Sequence, residues 1–186
     1  MDATALEAGR ARAATRRDES DAALVRAAQR GSAAAVERLF ERHWRDAHRA
    51  AYWIVHDAAA AEDIAQEAFL AAMNALDRFD RRRPFAPWLH RVVVNRAIDH
   101  TRTRTARREV GAALAFEHEA PAFDPPDPEL LSALAELPPD QRAVVVMRHM
   151  LGCSPAQIAV ALDLPRGTVN SRLRRGLDRL GELLAA

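Results

Sequence analysis

Apolar residues recur at steps of three and four along most of the chain, the spacing of helices that bury one face. Ser20 or Asp21 can cap a first helix through Leu24 and Val25. A second carries Val36, Leu39, Phe40, His43, Trp44, Ala47 and Ala51 as one apolar stripe, and Asp57 offers a break after it. The span 61–76 is the clearest amphipathic segment. Ile64, Ala65, Ala68, Phe69, Ala72, Met73 and Leu76 share a face, while Asp63, Gln66, Glu67, Leu70 and Asn74 fall on the other. Pro84 and Pro87 exclude regular helix from the basic loop 80–87, so the next helix opens at Trp88. It runs through Leu89, Val92, Val93 and Ile98 toward Arg102 and Arg104. Further on, Leu130, Leu131, Leu134 and Leu137 form a short stripe ended by Pro138-Pro139, and a helix with Val144, Met147 and Leu151 stops at Gly152.

Composition supports an all-α fold: Ala, Leu and Arg favour helix, and β-branched residues cluster only briefly, as at 92–94 and 144–146. The net charge of +1 excludes nothing, but its distribution is informative. Every basic residue is Arg, which with the abundant Ala fits a GC-rich coding genome. Ten Arg and two Asp lie between Arg78 and Arg108, whereas Glu109 to Glu129 holds six acids, four prolines and no Arg. That switch marks an acidic, Pro-rich linker. The expected organisation is a disordered tail over 1–18, a helical domain over 19–108, a linker over 109–127 and a second helical domain over 128–186.

One cysteine, Cys153, excludes an internal disulfide, and His149 four residues earlier makes at most two ligands, so no metal is expected. No apolar run reaches the roughly 20 residues that span a bilayer. The basic N-terminus lacks the hydrophobic stretch of a secretory signal, so the chain reads as cytoplasmic, without membrane insertion.

The sharpest local motif lies near the C-terminus. Ser154-Pro155-Ala156-Gln157 reads as a capped helix start, with Ser154 as cap, Pro155 first and Gln157 closing a capping box. Ile158, Ala159 and Leu162 face inward, and after a tight turn Pro165 starts a second helix. This is helix-turn-helix spacing. In the second helix Val169, Leu173, Leu177, Leu180 and Leu184 are expected in the core. Arg166, Thr168, Asn170, Ser171, Arg172, Arg174 and Arg175 point outward, a set able to read guanine and adenine edges and to hold phosphates.

The run Asp63-Ile64-Ala65-Gln66-Glu67-Ala68-Phe69-Leu70, Leu76 to Asp80, Phe85, Trp88-Leu89, Arg91, Val94-Asn95-Arg96 and Asp99 resembles domain two of bacterial sigma factors. Leu137-Pro138-Pro139, Ile158-Ala159 and the run from Pro165 to Leu173 look like sigma domain four. Two such domains joined by a short linker resemble the extracytoplasmic-function group of the sigma-70 family. The resemblance implies a non-enzymatic subunit, without cofactor, that binds core RNA polymerase and promoter DNA and is held by an anti-sigma factor. It places Asp63, Gln66, Glu67 and Leu70 against a coiled coil of the polymerase clamp. Phe79, Phe85, Trp88 and Asn95 would surround a pocket for an unpaired −10 base, where stacking offsets the cost of unpairing. Arg91, Arg96, Arg102 and Arg104 would hold phosphates. The outward face of the last helix would read the −35 duplex, and the acidic linker would thread the polymerase's RNA path. Two positions depart from the family pattern: Pro87 stands where a small hydroxyl residue is common, and Asn170 replaces a frequent basic residue. Both bear on promoter preference.

A free-standing helix-turn-helix regulator is the competing reading. It leaves the 63–80 surface and the basic aromatic loop unexplained, and it binds duplex DNA without polymerase. An enzyme is the third reading, but no Gly-rich phosphate loop, metal cluster or nucleophile with a base is evident.

Overall fold

The computed structural model describes residues 19–109 and 127–185. The tail expected over 1–18 and nearly all of the expected linker lie outside the described residues. Those described form eight α-helices and one 3-10 turn.

Local capping accounts for most boundaries in the front half. Helix α1 (Asp21–Ala28) is capped by the Ser20 hydroxyl, which accepts from the Ala23 amide at 3.3 Å. Ser32 caps α2 (Ala33–Val55) in the same way, and α2 ends where His56 turns left-handed at φ 55°. The Asp57 carboxylate accepts from the Ala60 amide at 3.1 Å and starts α3 (Ala58–Ala75). A 3-10 turn, Leu76–Arg78, leads to the basic loop.

Helix α4 (Phe85–Glu109) begins three residues before the expected Trp88. Pro87 falls in the first turn, where amides have no intrahelical acceptor, so its missing N–H costs nothing there.

Alanine has a structural use in this half. Ala47, Ala50 and Ala51 of α2, Ala61, Ala65, Ala68 and Ala72 of α3, and Ala97 of α4 are all fully buried. Small residues in these seams let α2, α3 and α4 approach closely, so abundant alanine is more than an imprint of coding bias. Larger side chains fill the remaining core: Leu39, Ile54, Phe85, Leu89 and Val93.

The rear half is punctuated by proline. Pro128, Pro139 and Pro155 open α5 (Pro128–Ala135), α6 (Pro139–His149) and α7 (Pro155–Leu162), and Pro165 precedes α8 (Arg166–Leu184). The ring fixes φ near the helical value and supplies no amide where none is needed. Val144, Val145 and Val146 are buried inside α6 because burial outweighs their modest helix penalty.

One expectation about α8 is corrected. Val169, Leu173 and Leu180 are buried, but Leu177 and Leu184 are 44% and 41% exposed. Gly176 takes the inward place instead. A methyl group added there would stand 2.9 Å from Val145 Cγ2, so the bare backbone is what lets α8 lie against α6.

Helices α5, α6 and α7 pack against α2 and α4, so the two halves are docked. Arg142 lies at this junction. Its guanidinium donates to the carbonyl of Ile54 in the last turn of α2, and also to Ala135 and Leu137 at the end of α5.

Candidate nucleic-acid interface

The helix-turn-helix forms as the capping signals imply. Ser154 Oγ accepts from the Gln157 amide at 3.3 Å, and Gln157 Oε1 accepts from the Ser154 amide at 2.7 Å. Asp163 is left-handed at φ 52°, and the Leu164 amide donates back to Ala159 O at 2.9 Å. That closes α7 within a residue and frees Pro165 to launch α8.

Burial of Val169, Leu173, Gly176 and Leu180 turns the opposite face of α8 to solvent. Arg166, Asn170, Arg174 and Arg175 are exposed there, with Thr168, Ser171 and Arg172 half-buried. The hydroxyl of Ser171 donates to Thr168 O at 3.0 Å, and Arg175 Nε donates to Ser171 O at 3.3 Å. Arg172 instead leans inward to Asp140 of α6, at 2.9 Å.

The front half presents its candidates differently. Phe79, Phe85 and Trp88 form one aromatic cluster, with ring centroids 4.6 Å apart for Phe79–Trp88, 5.6 Å for Phe85–Trp88 and 6.0 Å for Phe79–Phe85. Phe85 is only 2% exposed, and Phe79 is also buried. A cavity of about 130 Å³ abuts them, lined by Asp21, Val25, Phe79, Arg81, Arg83, Pro84 and Phe85 among others. The structure does not bring Asn95 to it. Asn95 lines a separate cleft of about 280 Å³ with Ile98, Asp99, Arg102, Asp140, Leu162, Leu164 and Arg172. Arg81, Arg83 and Pro84 were missed as cavity residues, although the Arg-Pro run in the loop was visible.

The candidate phosphate-holding arginines are mostly engaged. Arg96 pairs with Glu67 at 2.8 Å, Arg104 with Asp57 at 3.5 Å, and Arg102 with Asp140 at 2.8 Å. Arg91 is exposed. The Arg96–Glu67 pair joins α4 to α3, so the −10 and polymerase candidates adjoin.

On α3, Asp63, Gln66, Glu67 and Leu70 are all exposed, and Leu70 shows 67% of its surface. Phe40, expected within the inward stripe of α2, is 40% exposed. It stacks on Trp44 at 4.8 Å and meets Phe69 edge-on at 4.9 Å. Phe40, Val36, Phe69, Leu70 and Met73 together line an open apolar groove between α2 and α3. A leucine left in water beside such a groove suits a partner surface.

Beneath the front surface lies a buried histidine. Burial holds His90 down at about 4, against the opposing pull of Asp46 and with a further push from His43. Arg142, also buried, is lowered to about 10 and stays charged at neutral pH. Among the described residues no cluster of three or more His, Cys, Asp or Glu has metal-binding geometry. Cys153 is buried and its thiol is pushed up by that burial, while His149 is exposed. No described helix is long and apolar enough to cross a membrane.

An exposed arginine–asparagine helix behind a capped turn is the arrangement of a helix-turn-helix DNA-binding protein. Residues 39–107 match Sigma-70 region 2, and residues 128–180 match Sigma-70, region 4. The chain is 37% identical to the ECF RNA polymerase sigma factor SigM of Mycobacterium tuberculosis, over 91% of this chain and 87% of that protein. It is 31% identical to the RNA polymerase sigma factor NccH of Alcaligenes xylosoxydans xylosoxydans, over 88% and 94% respectively. The structure of CnrH in complex with the cytosolic domain of CnrY superposes with a TM-score of 0.70 at 30% identity, covering 90% of this chain and 98% of that one. The chain belongs to the sigma-70 family, in its extracytoplasmic-function group. Its function is that of a sigma factor, promoter-specific initiation of transcription by RNA polymerase.

Proposed function

We propose that the front half, residues 19–108, grips core polymerase and the melted −10 strand, and that the rear half, residues 128–186, reads the −35 duplex. The observation that carries this division is the outward stripe of Arg166, Asn170 and Arg174, presented on a helix whose start is fixed by the preceding turn. Arg suits guanine edges and phosphates, and Asn suits adenine. Thr168, Ser171, Arg172 and Arg175 complete the face.

In the front half, Asp63, Gln66, Glu67 and Leu70 make the polymerase surface. Phe79 and Phe85, backed by Trp88, provide an apolar wall for an unpaired base, and Arg81 and Arg83 give it a basic rim. Asn95 and the arginines 91, 96, 102 and 104 act along α4 on the strand itself. The protein works in the cytoplasm beside the polymerase and does no bond chemistry of its own. The TM-score of 0.70 to CnrH in complex with the cytosolic domain of CnrY supports a protein partner for this chain as well, of the anti-sigma kind.

Run-off transcription with core polymerase on the chain's own upstream region tests the reading. A transcript dependent on this chain is expected. Strong sequence-specific duplex binding by the chain alone, with no transcript, would instead establish a free-standing regulator.

A further inference from the structure

The cavity beside Phe79 and Phe85 is completed by helix α1, which lies outside the residues that match Sigma-70 region 2. That helix is tied down near both ends. At its start, Arg42 Nη1 donates to Asp21 Oδ1 at 2.7 Å, and His43 Nε2 stands 3.0 Å from Asp21 Oδ2. Just past its end, Gln29 Nε2 donates to Leu76 O at 2.8 Å and to Phe79 O at 3.3 Å. One end of α1 therefore fixes a carboxylate against α2, and the other holds the turn that carries Phe79. Between these ties, Asp21 and Val25 line the cavity of about 130 Å³ together with the two phenylalanines. Among the lining side chains, Arg81 and Arg83 bring only donors, and Asp21 brings the sole acceptor.

An acid in the first turn of a helix has a plain structural use, favouring the helix dipole and pairing with α2. That use does not require it to line a cavity meant for part of a polyanion, where an unmatched carboxylate is costly. A carboxylate offers about four acceptor positions, and Arg42 and His43 engage one on each oxygen. Each oxygen keeps room for an incoming donor. We propose that Asp21 is a specificity-determining residue of promoter recognition, selecting cytosine over thymine, on the reading that this cavity holds the unpaired −10 base. Cytosine presents an exocyclic N4 amine that suits a carboxylate, beside N3 and O2 acceptors that suit Arg81 and Arg83. Thymine places O4 where the amine would be, so two oxygens face each other with no proton between them. The volume favours a single ring, because it is well below the roughly 300 Å³ at which sites for larger ligands begin.

Holoenzyme reconstituted from the full chain and core polymerase tests this on the chain's own upstream region. Each −10 position of the non-template strand is replaced in turn by every base and by an abasic unit, and strand opening is measured. Wild type should show one position at which cytosine supports roughly tenfold more opening than thymine. Asp21→Asn keeps the shape, still accepts from Arg42 and His43, and adds a donor that can meet O4. It should narrow the preference to less than about twofold at that position alone. The wild-type scan needs no variant, so it judges the proposal even if Asp21→Asn folds poorly. Absence of a cytosine preference in wild type, an unchanged preference in a folded Asp21→Asn, or an equal loss on all four bases would overturn the role of Asp21. A wild type indifferent to an abasic unit at every −10 position would instead refute the base pocket itself.

Discussion

The two regions proposed to face DNA differ in how ready they are. On α8 the proposed reading residues Arg166, Asn170 and Arg174 stand in solvent on a continuous helix. Around α4 the aromatic candidates Phe79 and Phe85 are buried, and Arg96, Arg102 and Arg104 are held in ion pairs. The contrast follows from the substrates. A duplex offers its edges without rearrangement, so a preformed exposed face suffices. An unpaired base must be captured, and apolar rings kept from water until a base arrives suit that task. On the proposed assignment the front half depends on release and the rear half on preorganisation.

Four perturbations separate these modes. The largest effect is expected at their junction. Arg142→Ala leaves the carbonyls of Ile54, Ala135 and Leu137 without their donor, and should cost about 3 kcal/mol in denaturant unfolding of the full chain. An equally stable variant would show that this guanidinium contributes little.

Acid should act on the front alone. His90 is neutral in the fold down to about 4, whereas an unfolded chain binds that proton near 6.5. Stability from the neutral form is complete above pH 6.5 and is lost as pH falls toward 4, by up to roughly 3 kcal/mol. His90→Leu should flatten this slope. Residue-resolved hydrogen exchange should show α4 loosening before α8, and simultaneous loosening would contradict the assignment to His90.

At the reading helix, Arg174→Ala should weaken −35 duplex binding by about 1–2 kcal/mol and leave −10 strand binding unchanged. Filter binding at several salt concentrations checks both halves of that statement, because loss of a phosphate contact also lowers the salt slope. The smallest effect belongs to the turn. Ser154→Ala removes one member of the capping box and should cost about 1 kcal/mol, read by thermal unfolding.

What could be read from sequence tracks how local the determinants are. Ser20 and Ser154 cap the helices they precede, and Gln157 closes the capping box from inside its own, because caps act within three residues; the helix-turn-helix is legible for that reason. Leu177 misled because a leucine at heptad-like spacing outweighs a neighbouring glycine in any periodic pattern, yet the close approach of α6 at Val145 admits only Gly176. Phe40 misled similarly, since a stripe of apolar residues does not say where a core ends and a groove begins. The ion pairs of Asp140, and the reach of Arg142 to Ile54 across 88 positions, leave no periodic trace at all. Asp140 reads only as an ordinary acid in the first turn of a helix.

Footprinting of reconstituted holoenzyme on one promoter tests the division of labour most directly, with Arg174→Ala and Trp88→Ala compared against wild type. Arg174→Ala should lose protection upstream while strand opening near −10 persists once DNA is saturated, and Trp88→Ala should do the reverse. Loss of both signals together in each variant, or upstream loss with Trp88→Ala alone, would contradict the account.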